Sequence, residues 1–205
     1  PPAPPREPGP LRVGLVSGDL RNHPVGYFIE SLLAALDPAR VQVWAYANQQ
    51  DEDDLTTRLR ERLNWCRIDT LPDAEAAARI RADRIDVLLD LSGHTARNRL
   101  PLFCWRPAPV QASWLGYFAT TGIAEIDYLL ADAATVPVDS SERFSETVWR
   151  LPRTRLCFTP PARAPEVAPL PALTRGHVTF GSFQALAKVS DAVLALWGRV
   201  LAAVP

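Results

Sequence analysis

The chain has 205 residues, of which 47% are hydrophobic and 22% are charged, enough to bury the core of one domain and the beginning of another. Its formal net charge of -1 argues against nucleic acid or an anionic membrane as the main partner, because such partners select basic surfaces. No apolar run reaches the roughly 18 residues that a membrane-spanning helix needs, so we expect no membrane span and a cytoplasmic location.

The predicted elements of the first 158 residues alternate between strands and helices. A proline-rich stretch over residues 1–10, "PPAPPREPGP", predicts an extended tether. Buried strands are then predicted over residues 11–17, 41–47, 86–92, 110–116 and 127–132, with helical spacing over residues 25–36 and 74–84. Several of these strands lack polar alternation, as parallel strands do. The pattern predicts an α/β fold with a doubly wound parallel sheet.

A second proline-rich stretch, residues 159–176, predicts a boundary between two folded regions. After it, residues 177–183 have the pattern of a strand, and the following residues have that of a helix with Ser190 as its N-cap. One strand and one helix cannot bury their own apolar faces, so they either pack on the first domain or begin a second α/β domain, and we expect the second arrangement for residues 177–205. The predicted organisation is therefore a tether at 1–10, a domain at 11–158, a linker at 159–176 and the start of another domain.

Polar residues cluster after three of the predicted strands. In a doubly wound sheet, ligands bind beyond the carboxyl ends of the strands, so we expect these residues to share one rim. They are Ser17, Gly18, Asp19, Asn22 and His23, then Ser92, Gly93, His94 and Thr95, and finally Gly116, Tyr117, Thr120, Thr121 and Gly122. Two of the three histidines in the chain belong to this group, and histidine can carry a proton near neutral pH.

Each of these histidines also has a purely structural interpretation. His23 precedes Pro24 and could simply begin a helix, since proline is favoured in the first helical turn. His94 could be an ordinary loop residue. The loop after the first strand contains neither a GxGxxG motif nor a P-loop, so the sequence does not indicate a dinucleotide oxidoreductase or a nucleoside triphosphatase.

The cysteines do not indicate a disulfide framework or a metal site. Cys66, Cys104 and Cys157 are far apart, odd in number and without a CxxC pair. We therefore expect them to be reduced thiols in the core, and we expect no metal.

Three segments carry a family resemblance. They are "LRVGLVSGDLRNHPVGYF", "DVLLDLSGHTARNRLPLFCWRPAPVQASWLGYFATTG" and "VTFGSFQALAKVS". In order and spacing they resemble the catalytic region of the O-linked N-acetylglucosamine transferases and of the related plant-type O-fucosyltransferases, from about Leu11 to the end of the chain. The runs "RPAPVQ" and "WLGY" are long and unusual, which makes the resemblance specific.

The resemblance implies a domain arrangement. Members of this family have an upstream tetratricopeptide superhelix and two Rossmann-like domains of the GT-B type, which hold a sugar nucleotide between them. The chain would then be the N-terminal Rossmann-like domain with the first strand and helix of the C-terminal one. The tetratricopeptide repeats and the remainder of the second domain would be missing partners.

The resemblance also implies roles for particular residues. Asp19 and His23 match the family motif D-x-x-x-H-P, which lies near the transferred sugar and the acceptor hydroxyl. Lys188 matches the lysine that neutralises the nucleotide diphosphate, a role that suits an ammonium group because the leaving diphosphate gains negative charge. The residues that match the donor and acceptor pocket are His94, Thr95, Leu115, Gly116 and Tyr117.

The implied activity is that of an inverting glycosyltransferase. It would move N-acetylglucosamine from UDP-N-acetylglucosamine to a serine or threonine hydroxyl of a protein, without a metal or another cofactor. Phe118 and Ala185 depart from residues common in the family, which leaves GDP-fucose open as an alternative donor. Two further alternatives are a non-catalytic relative that only binds peptides and a sugar-phosphate epimerase of similar architecture.

Overall fold

One sheet organises the first part of the protein. A computed structural model describes residues 8–161 and 164–204, and its contacts divide the chain between Pro160 and Pro161 into two units. Residues 1–7 of the predicted tether lie outside the described residues. The described part of the first unit contains, in chain order, β1 (Leu11–Ser17), α1 (Pro24–Ala35), β2 (Val41–Ala47), α2 (Asp54–Arg60), β3 (Asn64–Arg67), α3 (Asp73–Ala82), β4 (Val87–Asp90), α4 (Leu100–Phe103), β5 (Val110–Ser113), β6 (Tyr128–Asp132) and β7 (Thr147–Leu151).

The strands pair in the order β3-β2-β1-β4-β5-β6-β7, and every neighbouring pair is parallel. Parallel strands need crossover connections, and here helices supply several of them. This arrangement confirms the predicted α/β fold with a Rossmann-like, doubly wound parallel sheet.

Successive residues of β1, an interior strand of the sheet, face opposite layers of the core. Leu15 of β1 belongs to one apolar cluster, with residues of α1 and α2, whereas the next residue, Val16, belongs to a second cluster with residues of α3 and α4. Side chains alternate across a strand, so a strand buried on both faces needs apolar residues at consecutive positions. That requirement explains why the first run has no polar alternation.

The two edge strands were not predicted. β3 and β7 lie at the two ends of the sheet, and their residues are mostly half-buried or exposed. An edge strand pairs on one side only and is less covered, so its sequence lacks a continuous apolar run. The strands predicted at 86–92 and 110–116 are also shorter than expected, since the chain leaves the sheet after Asp90 and after Ser113.

The second unit corrects one prediction and confirms another. Its described residues form α5 (Ala172–Arg175), a short 3-10 helix (Leu186–Lys188) and α6 (Asp191–Ala203). Ser190 is the N-cap of α6 and accepts a hydrogen bond from the Val193 N–H at 3.4 Å, as predicted. The strand predicted at 177–183 is wrong: no strand forms there, and residues 164–204 contain no other strand that could pair with it.

The cysteines are free, but only one is shielded. Cys66 is half-buried, and burial raises the pKa of its thiol. Cys104 and Cys157 are exposed, so the prediction of core thiols is wrong for these two. Cys104 follows the last residue of α4, and Cys157 follows the sheet, where its Sγ lies 3.1 Å from the Ser31 hydroxyl.

Among the described residues, no helix is long and apolar enough to cross a membrane.

Candidate active site

The candidate site lies where the strand order of the sheet changes direction. β2 and β3 lie on one side of β1, and β4 to β7 lie on the other. The connections that follow β1 and β4 lead to helices of different core layers, α1 and α4, and doubly wound proteins bind ligands in the crevice at such a point. We call residues 18–23, 91–95 and 114–117, which follow β1, β4 and β5, the rim loops.

Glycines bring the rim loops together. Gly18 lies so close to Arg97 that a Cβ atom added to it would stand 2.6 Å from the Cβ of Arg97. Gly116 lies against the carbonyl oxygen of Leu91, and an added Cβ atom would overlap that oxygen. A larger residue at either position would push neighbouring loops apart. Loops from three different strands are thus packed against one another at the carboxyl edge of the sheet.

Asp19 and His23, predicted as a pair, are close together. The Asp19 carboxylate lies 4.0 Å from Nδ1 of His23 and 3.4 Å from the guanidinium of Arg21. The Asp19 side chain is only 13% exposed, whereas that of His23 is 39% exposed. The backbone N–H of Asp19 donates to the Ser17 hydroxyl at 3.0 Å, which fixes the start of the loop.

His23 is also the N-cap of α1. Its backbone is extended, Pro24 is the first helical residue, and Nδ1 accepts a hydrogen bond from the Val25 N–H at 3.3 Å. Because Nδ1 acts as the acceptor, the proton of the neutral ring lies on Nε2. In this arrangement the outer nitrogen of His23 is a donor and has no free lone pair. The structural interpretation of His23 as a helix start therefore holds, alongside its position on the rim.

In His94 the other ring nitrogen, Nε2, makes the hydrogen bond within the protein. Its Nε2 lies 3.0 Å from the carbonyl oxygen of Thr121, which can only accept, so Nε2 carries the proton. In the neutral ring, Nδ1 then keeps its lone pair, and among the described residues it has no hydrogen-bond partner. The Tyr117 ring packs edge-on against the imidazole, with centroids 5.6 Å apart at 79°. His94 is exposed. The next residue, Thr95, closes the turn of this loop by donating from Oγ1 to the Ser92 carbonyl at 2.7 Å.

Leu115 has a backbone conformation that is unusual for a branched residue. Its φ is 75°, and the Gly116 N–H donates to the Trp114 carbonyl at 3.0 Å, so Leu115 lies at the centre of a three-residue turn. Such turns are strained and persist where the surroundings hold them, often at functional sites. Here the Leu115 carbonyl accepts from the buried guanidinium of Arg155 at 3.0 Å, and its side chain belongs to the core. The Leu115 side chain therefore packs in the core, and its carbonyl oxygen is occupied by Arg155.

A buried carboxylate beneath the rim was missed by the sequence analysis. Asp90, the last residue of β4, is fully buried and accepts from the backbone N–H groups of Ser92 and Gly93, at 3.1 Å and 2.8 Å. The hydroxyl of Ser113 donates to it at 3.1 Å. Burial raises the pKa of Asp90, while these hydrogen bonds oppose that effect. The sequence signal that could have revealed Asp90 is an acidic residue inside an apolar strand. Through these hydrogen bonds Asp90 positions the loop that carries His94.

A second carboxylate was also missed. Glu146, just before β7, is buried and accepts hydrogen bonds from the hydroxyls of Thr120 and Thr121 and from the Thr121 backbone N–H. Burial opposes its ionisation, but the hydrogen bonds outweigh that effect and hold the pKa of Glu146 below its usual value. No motif in the sequence marks this residue, because its partners lie 25 or 26 positions away.

Lys188 belongs to the second unit. It is the only lysine in the sequence, it is exposed, and it ends the short 3-10 helix, where its backbone N–H donates to the Ala185 carbonyl at 2.9 Å. The structure gives it no anionic partner among the described residues, and its assignment to a diphosphate stays a prediction. Within residues 8–161 and 164–204, no group of three or more His, Cys, Asp or Glu side chains is arranged to hold a metal ion.

Comparison with known proteins identifies the family. The sequence matches Glycosyl transferase family 41 over residues 3–158, which is most of the chain. The chain belongs to this family. The matched range contains β1 to β7 and all three rim loops.

Similar proteins come from plants, animals and bacteria. The chain is 42% identical over 201 residues to the "Probable UDP-N-acetylglucosamine--peptide N-acetylglucosaminyltransferase SPINDLY" of Solanum lycopersicum, covering 96% of this chain and 22% of that protein. It is 35% identical over 147 residues to the UDP-N-acetylglucosamine--peptide N-acetylglucosaminyltransferase of Caenorhabditis elegans, covering 70% of this chain and 13% of that protein. The structure of a mutant O-GlcNAc transferase from Thermobaculum terrenum matches 98% of this chain and 39% of its own chain, with 42% identity and a TM-score of 0.89.

The chain spans about a fifth of the length of the plant relatives. The family 41 match and these similarities agree with the resemblance seen in the sequence.

Proposed function

We propose that this chain is the N-terminal Rossmann-like part of a GT-B glycosyltransferase that transfers N-acetylglucosamine from UDP-N-acetylglucosamine to serine or threonine hydroxyls of proteins. The observation that carries the proposal is the crevice at the change in strand order, whose rim loops carry Asp19, His23 and His94 in a chain of family 41. The names of the similar proteins support the choice of donor and acceptor. The proposed enzyme also includes the remainder of the second domain, with tetratricopeptide repeats upstream and a cytoplasmic location.

The proposed reaction is a single in-line displacement. The acceptor hydroxyl oxygen forms a bond to the anomeric carbon of the sugar, while the bond from that carbon to the diphosphate oxygen breaks and its electron pair leaves with UDP. The hydroxyl proton passes to a base, for which the candidates are Asp19, a phosphate oxygen of the donor, and His23 once its Nδ1 releases the Val25 N–H. Holding both substrates in line can lower the barrier by roughly 7 to 11 kcal/mol, so positioning is a large part of the proposed mechanism.

Positive charge near the leaving group is the second part of the mechanism. In the proposal, Lys188 faces the diphosphate, which becomes more negative as the bond breaks, and it stabilises the transition state more than the bound donor. The amino-terminal end of α1, a helix of 12 residues, supplies a further positive partial charge beside the rim. The proposed reaction uses no metal or other cofactor.

The outer nitrogens of the two rim histidines suit different tasks. His23 offers an N–H donor, which can bind a phosphate or carbonyl oxygen, whereas His94 offers a lone pair, which can accept from a hydroxyl. Both groups are of the kind that a site for a sugar nucleotide and an alcohol would use.

Calorimetry on the complete enzyme tests the donor. We expect UDP to bind and to compete with UDP-N-acetylglucosamine, and we expect mass spectrometry to detect N-acetylglucosamine on an acceptor peptide. Preferential binding of GDP, with transfer of fucose, would assign the protein to O-fucosyl transfer instead. Peptide binding without any sugar transfer would identify a non-catalytic relative.

A further inference from the structure

We propose that Glu146 is a positioning residue for the transfer reaction. Acting through Thr121, it fixes the ring of His94 so that Nδ1 presents its lone pair to a substrate hydroxyl in the crevice. This inference rests on the proposed function for its chemistry, but its structural part can be tested without any catalytic assay.

The first step is the anchoring of Thr121 by Glu146. One carboxylate oxygen of Glu146 accepts from the Thr121 backbone N–H at 2.6 Å and also from the Thr121 hydroxyl. The other carboxylate oxygen accepts from the Thr120 hydroxyl at 2.7 Å. Glu146 is 5% exposed and Thr121 is 2% exposed, so water competes little for these hydrogen bonds. Hydrogen bonds to a charged acceptor are stronger than neutral ones, and the peptide group of Thr121 is therefore firmly held.

The second step is the contact between Thr121 and His94. The Thr121 carbonyl accepts from Nε2 of His94 at 3.0 Å, and this contact selects both the tautomer and the orientation of the ring. The Tyr117 ring restricts the imidazole from a second direction. Asp90 separately fixes the loop beneath His94 through the N–H groups of Ser92 and Gly93. The imidazole ring and the backbone of His94 are therefore held by different groups.

The third step is the consequence for the free nitrogen. Nδ1 of His94 keeps a lone pair in the neutral ring, and the residue is exposed at the rim. At His23 the corresponding lone pair is already used by the Val25 N–H. His94 is therefore the rim histidine that can accept a hydrogen bond from a hydroxyl without first giving up a contact within the protein.

Two variants of Glu146 separate positioning from simple packing. Glu146→Gln keeps one oxygen that can accept from Thr121, and its amide can donate to the Thr120 hydroxyl. Glu146→Ala removes all three hydrogen bonds and frees the Thr121 peptide. Glu142→Ala is the matched control, since Glu142 is an exposed glutamate four positions earlier whose hydrogen bond to the Ser140 hydroxyl uses its backbone N–H and not its carboxylate.

The direct readout is the tautomer of His94, measured by NMR on the protein labelled at histidine. The chain has only three histidines, so His94→Ala assigns the signal. We expect a single form protonated at Nε2 in the wild type, in Glu146→Gln and in the control, and a mixture of both tautomers in Glu146→Ala. If Glu146→Ala does not fold, Thr121→Val, which keeps the carbonyl and loses one bond to Glu146, should give a partial mixture.

The kinetic readout uses the complete enzyme. Glu146→Ala should lower kcat by about tenfold or more, on the scale of misplaced reacting groups, with near-normal values for Glu146→Gln. When Glu146→Ala is added to an enzyme that already carries His94→Ala, kcat should fall no further, because Glu146 acts through His94. If the KM for the donor is unchanged, the hydroxyl that binds Nδ1 of His94 belongs to the acceptor. If the KM for the donor is raised, that hydroxyl belongs to the donor sugar.

The outcomes distinguish the two proposals. An unchanged His94 tautomer in Glu146→Ala, or a mixture already present in the wild type, overturns the role of Glu146 whatever the activity. An additive loss of kcat in the His94→Ala background also overturns it, since the effect would then be structural. A wild-type enzyme that transfers no sugar overturns the proposed function, while the NMR result still decides whether Glu146 positions His94.

Discussion

Replacement of His23 tests two roles that the structure gives to one side chain. The imidazole caps α1 through the hydrogen bond from the Val25 N–H at 3.3 Å, and it stands on the rim 4.0 Å from the Asp19 carboxylate. Asparagine can cap a helix as well as any residue, but it has no imidazole. His23→Asn therefore keeps the first role and removes the second, whereas His23→Ala removes both.

The structure sets the expected magnitudes. Loss of an N-cap costs about 1 kcal/mol, within a range of roughly 0.5 to 2, so His23→Ala should be less stable by that amount and His23→Asn should resemble the wild type. Loss of a group that takes part in proton transfer typically lowers a rate by about a hundredfold or more, so both variants should show that loss in sugar transfer to a peptide. Affinity for UDP should change little, because Lys188 is expected to hold the diphosphate.

Three measurements on the same variants decide the matter. Urea unfolding gives the free energy of unfolding, and calorimetry and a transfer assay on the complete enzyme give the UDP affinity and the rate. Normal transfer by His23→Asn would show that His23 acts only as a helix cap. A fall in UDP affinity alone would make it a phosphate ligand, and the proton would need another acceptor.

Two further predictions concern charged residues. Lys188→Ala should lower transfer by about a hundredfold to a thousandfold while the circular dichroism spectrum is retained, because it removes charge from the leaving diphosphate; normal transfer would make Lys188 a surface residue. The Arg155 and Thr135 backbone N–H groups and the Thr135 hydroxyl hold the pKa of Asp132 at about 2, so its contribution to stability is complete above about pH 4 and is lost as the pH falls towards 2. Asp132→Asn should flatten the stability curve in that window, and a curve parallel to that of the wild type would contradict the assignment.

The buried centre of the sheet could be predicted from sequence, and its edges could not. β1 and β2 coincide with the predicted strands at 11–17 and 41–47, because strands covered on both faces have nearly continuous apolar runs. β3 and β7 give no such signal, since they lie at the ends of the sheet. At residues 177–183 the error was the opposite one, since a strand was predicted where none forms. An apolar pattern typical of a strand does not guarantee a neighbouring strand to pair with.

The candidate site shows a similar division. Asp19, His23 and His94 could be found because polar residues after buried strands gather at one edge of a parallel sheet. Asp90 and Glu146 could not, because their role depends on contacts with backbone N–H groups and hydroxyls that a sequence does not display. The tautomers of the two histidines likewise depend on which neighbour each ring nitrogen meets.

The pairing of β1 with β4 has a consequence for how the protein folds. It brings together Arg12 and Asp86, which are 74 residues apart, whereas the other neighbouring strands pair residues that are much closer in sequence. Closing a longer loop costs more chain entropy, and contacts between distant residues tend to slow folding. The crevice cannot exist in a chain that has formed β1 to β3 or β4 to β7 alone. A ligand that binds there would therefore stabilise only chains that have completed this pairing, and its binding would report the final assembly of the sheet.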